Sequence, residues 1–196
     1  MNSPVHTIFW RRLDLPGHDV CSLWRSANGW RLSGTAIFLF DEMPCLLAYE
    51  VNADADWQTC MASVSGHVGK SVVALTIAPT ANGHWSINGS EVQEAAGCID
   101  IDLGFTPTTN LITIRRLALS IGEQSQAPAA WLDFPDFKIK QLEQRYHRVS
   151  HDKYEYEAPD VGYAGTLAVD SYGAVTHYPG LWDQEASGSN IREKTV

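Results

Sequence analysis

Apolar and polar residues alternate in short runs along most of the chain. TIFWRRL, VCSLWR, WRLSGTAIFLF, CLLAYEV, WQTCMASV, VVALTIA, HWSI, CIDIDLGF, FKIKQLEQRYHRV, KYEYEA, TLAVD and AVTHY are each rich in β-branched or aromatic residues and bounded by turn residues. That is the pattern of strands. Asn82-Gly83 and Asn88-Gly89 tolerate the positive φ of a tight turn and predict two hairpins around Trp85. DSYG at 170–173 predicts a third, with Gly173 at the left-handed position. In FKIKQLEQRYHRV the apolar phase slips near Lys140 or Gln141, which predicts a bulge in one strongly curved strand.

Helical periodicity is confined to one place. From about Asn110 to Ala118, the residues Leu111, Ile114, Leu117 and Ala118 recur at helical spacing after a Thr and Asn cap region. The pattern therefore predicts a mainly β fold with a highly curved, mostly antiparallel sheet and a single α-helix. YPGLW ends the regular pattern, and the polar, aperiodic stretch after Asp183 resembles a frayed terminus. A single domain over residues 1–184 and a polar tail over residues 185–196 follow.

Composition narrows the function classes. A chain of 196 residues with 44% hydrophobic and 19% charged residues buries a substantial core without staples. The net charge of -9 repels polyphosphates and argues against a nucleic-acid partner. Apolar runs such as AIFLF and CLLAY are too short to span a bilayer, and MNSPVHTIFWRRLDLPGHD has no signal-peptide pattern, so the expectation is a soluble, cytoplasmic protein. Cys21, Cys45, Cys60 and Cys98 are scattered, which predicts small buried thiols and neither a disulfide framework nor a zinc site. The histidines show no metal-ligand spacing, and nucleophile-elbow and phosphate-loop motifs are absent. No catalytic residue, metal or cofactor is predicted.

The densest chemistry lies in GCIDIDLGFTPTTNLITIRRL, residues 97–117. Alternation sets Ile99, Ile101 and Leu103 on one strand face and Asp100 and Asp102 on the other. After a polar corner come Asn110, Arg115 and Arg116, placed so that a guanidinium can fold back onto a carboxylate. Three readings stay open. The motif is a buried latch pairing Asp102 with Arg116, a polar rim in which Asp102, Asn110, Arg115 and Arg116 contact a ligand, or an acid–base pair. Tyr154 and Tyr156 share one face of KYEYEA and suit either the core or a ligand wall.

Several stretches together resemble the DUF1089 glycolipid-binding family. They are RLDLPGHDVCSL, LAYEV, DADW, HWSINGSEV, GCIDIDLGFTPTTNLITIRRL, LEQRYHRV, KYEYEAPD and HYPGLWDQ, spanning about residues 9 to 184. One departure is Ile112-Thr113-Ile114, where the family pattern has Leu-Pro-Ile, so the helix start lacks a proline constraint. The resemblance implies a spiral β-roll, a many-stranded sheet wrapped around one helix. It further implies a non-enzymatic binder of a glycolipid or fatty-acyl amphiphile, and, loosely, a homodimer. The apolar chain would lie inside the curved sheet, and Asp100, Asp102, Asn110, Arg115, Arg116, Tyr154 and Tyr156 would contact the ligand. The competing readings are a small hydrolase or isomerase acting on a lipid ester through Asp100 or Asp102, and a β-scaffold whose sheet edge pairs with a partner. An open apolar interior favours the first two readings, and a filled one favours the third.

Overall fold

In the computed structural model, which describes residues 3–189, nearly every predicted run is a strand. In chain order these are β1 (His6–Arg12), β2 (Gly17–Ser26), β3 (Gly29–Phe40), β4 (Met43–Asp54), β5 (Thr59–Val68), β6 (Ser71–Pro79), β7 (Trp85–Ile87), β8 (Ser90–Val92) and β9 (Asp100–Leu103). Then follow α1 (Asn110–Leu117), β10 (Gln124–Gln126), β11 (Ala129–Asp133), β12 (Lys138–Leu142), β13 (Arg145–Arg148), β14 (Lys153–Ala158), a 3-10 turn (Pro159–Val161), β15 (Tyr163–Val169), β16 (Val175–Tyr178) and β17 (Trp182–Ser189).

Fourteen strands form one antiparallel sheet in the order β10-β13-β14-β15-β16-β17-β1-β2-β3-β4-β5-β6-β7-β8. A sheet this wide curls rather than staying flat, because strand twist accumulates. A second sheet, β12-β11-β9, has its β11–β9 pair parallel. It is tied to the large one where Ile101 N–H donates to Thr59 Oγ1 at 3.2 Å.

Alternation sets the inward face. In β4, Cys45, Leu47, Tyr49, Val51 and Ala53 are buried while their neighbours are not. Helix α1 is too short to hold in water alone, where roughly 12 to 15 residues are needed. Packing holds it instead. Leu111 and Ile112 join the main core with Ile8, Trp10, Leu23 and Leu32, and Ile114 joins a second cluster built on Tyr146, Tyr154 and Tyr156. Each such side chain contributes about 1.5–3 kcal/mol of burial free energy.

The hairpin signals hold. Asn88 and Gly89 take φ of 50° and 80° between β7 and β8, and Gly173 takes 87° between β15 and β16. Four expectations need correction. FKIKQLEQRYHRV is not one curved strand: it breaks at Glu143-Gln144 into β12 and β13, which belong to different sheets. Residues 185–189 are not a tail, because β17 continues through them along β1 and satisfies their backbone groups. The rest of the predicted tail lies outside the described residues. Cys60 is exposed, although Cys21, Cys45 and Cys98 are buried and all four thiols are free.

The fourth correction concerns the interior. Beside α1, the gap lined by Ile8, Trp10, Leu23, Leu32 and Leu111 measures about 10 Å³. That is room for about one water, not for an acyl chain. The helix and the inward side chains fill the space where the resemblance places an apolar chain. By the criterion above, a filled interior favours the scaffold reading over a ligand held inside, and leaves a binding reading to rest on a cleft outside it.

Candidate functional site

Strand β9, within CIDIDLGF, buries residues of both its faces, although Ile99 just before it is 42% exposed rather than on the buried apolar face. Ile101 and Leu103 lie in the core, and Asp100 on the opposite face is 0% exposed. A fully buried carboxylate needs compensation, by hydrogen bonds, a cation or both. Arg116, in the last turn of α1, supplies it through Nε to Oδ1 at 2.8 Å and Nη2 to Oδ2 at 2.7 Å. The latch therefore exists, but on Asp100 rather than on Asp102. With Asp100 held in that fork and Asp102 bound elsewhere, the two carboxylates form no proton-sharing dyad.

Asp102 has a different partner. Gln144 Nε2 donates to its Oδ2 at 2.5 Å, and the Tyr146 hydroxyl donates to Gln144 Oε1 at 3.3 Å. Asn110 Nδ2 in turn donates to the Tyr146 hydroxyl at 2.9 Å. Burial pushes the Asp102 carboxyl up to about 6, opposed by the Gln144 hydrogen bond and reinforced by the charge of Asp100. Among the described residues, Asp102 Oδ1 receives no hydrogen bond.

Asp102 and Asn110 open into a cleft of about 280 Å³, walled by Trp131, Tyr156, Tyr163, Tyr178 and Trp182. The tyrosines pack edge to face, Tyr163 on Tyr178 at 5.1 Å and Tyr156 on Tyr178 at 5.8 Å. Glycines seat two of these rings. A Cβ at Gly104 would meet Trp131 Nε1 at 2.5 Å, and one at Gly165 would meet the Tyr163 hydroxyl at 2.6 Å. The Tyr163 hydroxyl donates to the Pro179 carbonyl at 3.0 Å, and no described acceptor takes the Trp131 indole N–H. The cleft thus offers flat aromatic faces together with a carboxylate oxygen and an indole N–H that no other described residue occupies.

The predicted site residues divide. Asp102, Asn110 and Tyr156 come together in this cleft. Arg115 and Tyr154 line a separate cleft of about 300 Å³ with Arg148, His151 and Asp170. There the Arg115 guanidinium lies 5.4 Å from the centre of the Trp57 ring, and Arg148 clamps the carbonyls of Leu119 and His151. Asp100 and Arg116 lie outside both clefts, so the expected single Asp/Arg rim does not form.

A polar cluster that sequence reasoning missed anchors the corner before α1. The Tyr49 hydroxyl donates to Asp19 at 2.9 Å and shares a 2.7 Å hydrogen bond with Thr108, and the Thr106 hydroxyl also donates to Asp19. Burial pushes Asp19 up to about 6, against the lowering effect of the Thr106 and Tyr49 hydrogen bonds. A signal was present in the sequence. In β2, Asp19 shares the inward phase with Cys21 and Leu23, while Val20 faces out. An acid on the apolar phase of a strand marks a buried, bonded carboxylate.

Among the described residues no group of three or more His, Cys, Asp or Glu is placed to hold a metal, and no helix is long and apolar enough to cross a membrane. A family model described as "Putative glycolipid-binding" matches residues 7–184. A crystal structure of a DUF1089 family protein from Pseudomonas aeruginosa is similar at a TM-score of 0.74 and 27% identity, over 84% of this chain and 91% of that one. No curated relative matches the chain.

Proposed function

Because this chain belongs to the glycolipid-binding family whose model spans residues 7–184, we propose that the Asp102 cleft receives the sugar headgroup of a glycolipid. The observation that carries the reading is the juxtaposition of aromatic faces with polar groups left open to a ligand. Tyr163, Tyr178 and Trp131, the partly exposed rings of the wall, offer surfaces on which a sugar ring stacks, while Asp102 Oδ1 and the Trp131 N–H can bond its hydroxyls. Recognition then centres on the headgroup, and the acyl chain runs outward, past Val161 and Leu181 at the cleft wall, rather than into the filled interior. Binding requires no chemistry from Asp100, which Arg116 holds. Four free thiols suit a reducing compartment, and we place the protein in the cytoplasm on that ground.

The test is tryptophan fluorescence titration with a neutral alkyl glycoside below its micelle concentration, set beside a fatty acid of the same chain length. Headgroup recognition predicts saturable binding of the glycoside, competition by the free sugar, and loss of affinity in Tyr178→Ala. Equal binding of the fatty acid, with no competition by sugar, would overturn the reading.

A further inference from the structure

We infer that this cleft selects headgroups by charge, accepting neutral sugars, preferring amine-bearing sugars and rejecting uronic or phosphorylated ones, with Asp102 as the residue that sets the choice. The inference rests on the headgroup reading above and adds the class of headgroup. Its ground is the disposition of charge around the cleft. Asp102 is the one carboxylate in the lining, which holds no Lys, Arg or His, and the remaining polar side-chain groups there are hydroxyls, the Asn110 amide and the indoles of Trp131 and Trp182. Its Oδ2 is held by the amide of Gln144, which orients the carboxylate without neutralising it.

Each cation near the lining is already committed. Arg116 is forked onto Asp100. Lys140 lies 4.6 Å from the Trp131 ring centre but is bound to Asp133 at 2.9 Å. Arg12 lies 5.2 Å from the Trp182 ring centre, and its charge is paired with Asp14 through Nε at 2.8 Å and Nη2 at 3.0 Å, while its Nη1 is buried without a hydrogen bond among the described residues. A carboxylate or phosphate on the ligand would therefore meet an anion and no available cation, in surroundings where low polarity strengthens the repulsion. An ammonium would complete the pair that Asp102 lacks.

Asp102 also makes the preference pH-dependent. The groups around it are Gln144, the Tyr146, Tyr156 and Tyr178 hydroxyls and the carboxylate of Asp100 with its Arg116 partner. All three tyrosine hydroxyls are pushed above their ordinary range, first by burial and further by the charge of Asp102, so they stay neutral at physiological pH. Burial lifts Asp102 to about 6, which puts its ionisation within reach of mild acid. Protonated, it binds a neutral sugar but no longer distinguishes an amine from an acid.

Three alkyl glycosides sharing one chain and differing only in headgroup test this by calorimetry at pH 7.0: a glucoside, a 2-amino-glucoside and a glucuronide. The expected order is amine, neutral, acid, with about a tenfold spread or more from first to last. In Asp102→Asn the amine and acid should fall within about threefold of each other. Circular dichroism checks that the variant is folded, and wild type at pH 4.5 makes the same comparison without any substitution. There too the spread should collapse. A spread that survives both changes, or equal affinities for wild type at pH 7.0, overturns the charge selection and leaves headgroup binding standing. If none of the three binds, both readings fall.

Discussion

Arg116 grips Asp100 through two parallel hydrogen bonds of 2.8 and 2.7 Å, joining the last turn of the helix to a strand residue 16 positions earlier. The carboxylate is fully buried, and the side chain of the arginine is 18% exposed. The pair closes the helix onto the small sheet.

Removing one partner strands a buried charge, so Asp100→Ala should lose about 3–5 kcal/mol of stability. Asp102→Ala leaves only the Gln144 amide unpaired and removes a carboxylate that burial disfavours, so it should change stability by about 1 kcal/mol. Thermal melting of both variants beside wild type checks the contrast. Equal losses would mean that the two aspartates share one structural role.

The pH dependence of stability should carry the mark of Asp102. Its folded-state pKa of about 6 lies above the ordinary 3.8, so the native state holds the proton more tightly than the unfolded chain does. The resulting contribution is fully present below about pH 4 and is lost as pH rises through 6, by up to about 3 kcal/mol. Asp102→Asn has no such ionisation. Its melting temperature should therefore rise relative to wild type between pH 4 and pH 7, and a constant difference across that range would remove the assignment.

Gly104 has no room for a methyl group. Its added Cβ would press on Trp131 Nε1 at 2.5 Å and the Leu132 carbonyl at 3.0 Å. Gly104→Ala should displace the indole from the cleft wall, cost about 1–3 kcal/mol and weaken alkyl glycoside binding. Unchanged tryptophan emission together with unchanged affinity would show that Trp131 is not seated by this contact.

Strand β17 closes the seam between β1 and β16. Ending the chain after Gln184 strips β1 of its partners for His6, Thr7, Ile8 and Phe9, and leaves that stretch with β2 alone. Hydrogen exchange should then show faster exchange across β1, with a lowered melting temperature. Identical protection would make residues 185–189 dispensable and restore the domain limit at 184.

Much of this architecture was legible in local patterns. The period of two located the strands, Asn88-Gly89 and Gly173 marked turns, and Leu111, Ile114 and Leu117 marked the helix. The helix began as expected although Thr109 makes no side-chain capping bond, because its hydroxyl accepts from the Leu103 N–H instead. The short strands β8 and β10 and the AAWLD strand β11 escaped, since runs of three to five residues carry too little periodicity. The chemistry was half legible. The latch was expected between Arg116 and Asp102 and forms on Asp100 instead, while the expected rim divides, with Asp102 and Asn110 in one cleft, Arg115 in another and Arg116 in neither.

The sequence by itself determined which residues alternate, where the chain reverses, and that Asp100 and Asp102 share a strand face opposite Ile101. These properties depend on near neighbours along the chain, through side-chain parity and the backbone freedom of Asn and Gly. Tertiary structure decided which aspartate meets Arg116 and which meets Gln144, 42 residues away. Parity makes the two acids equivalent, and only the elements that cover them differ. The last turn of α1 lies over Asp100, whereas Asp102 meets Gln144 and the aromatic cleft. Burial and partner choice are properties of the assembled layers, so the same carboxyl group became a structural ion in one place and an open acceptor two residues on.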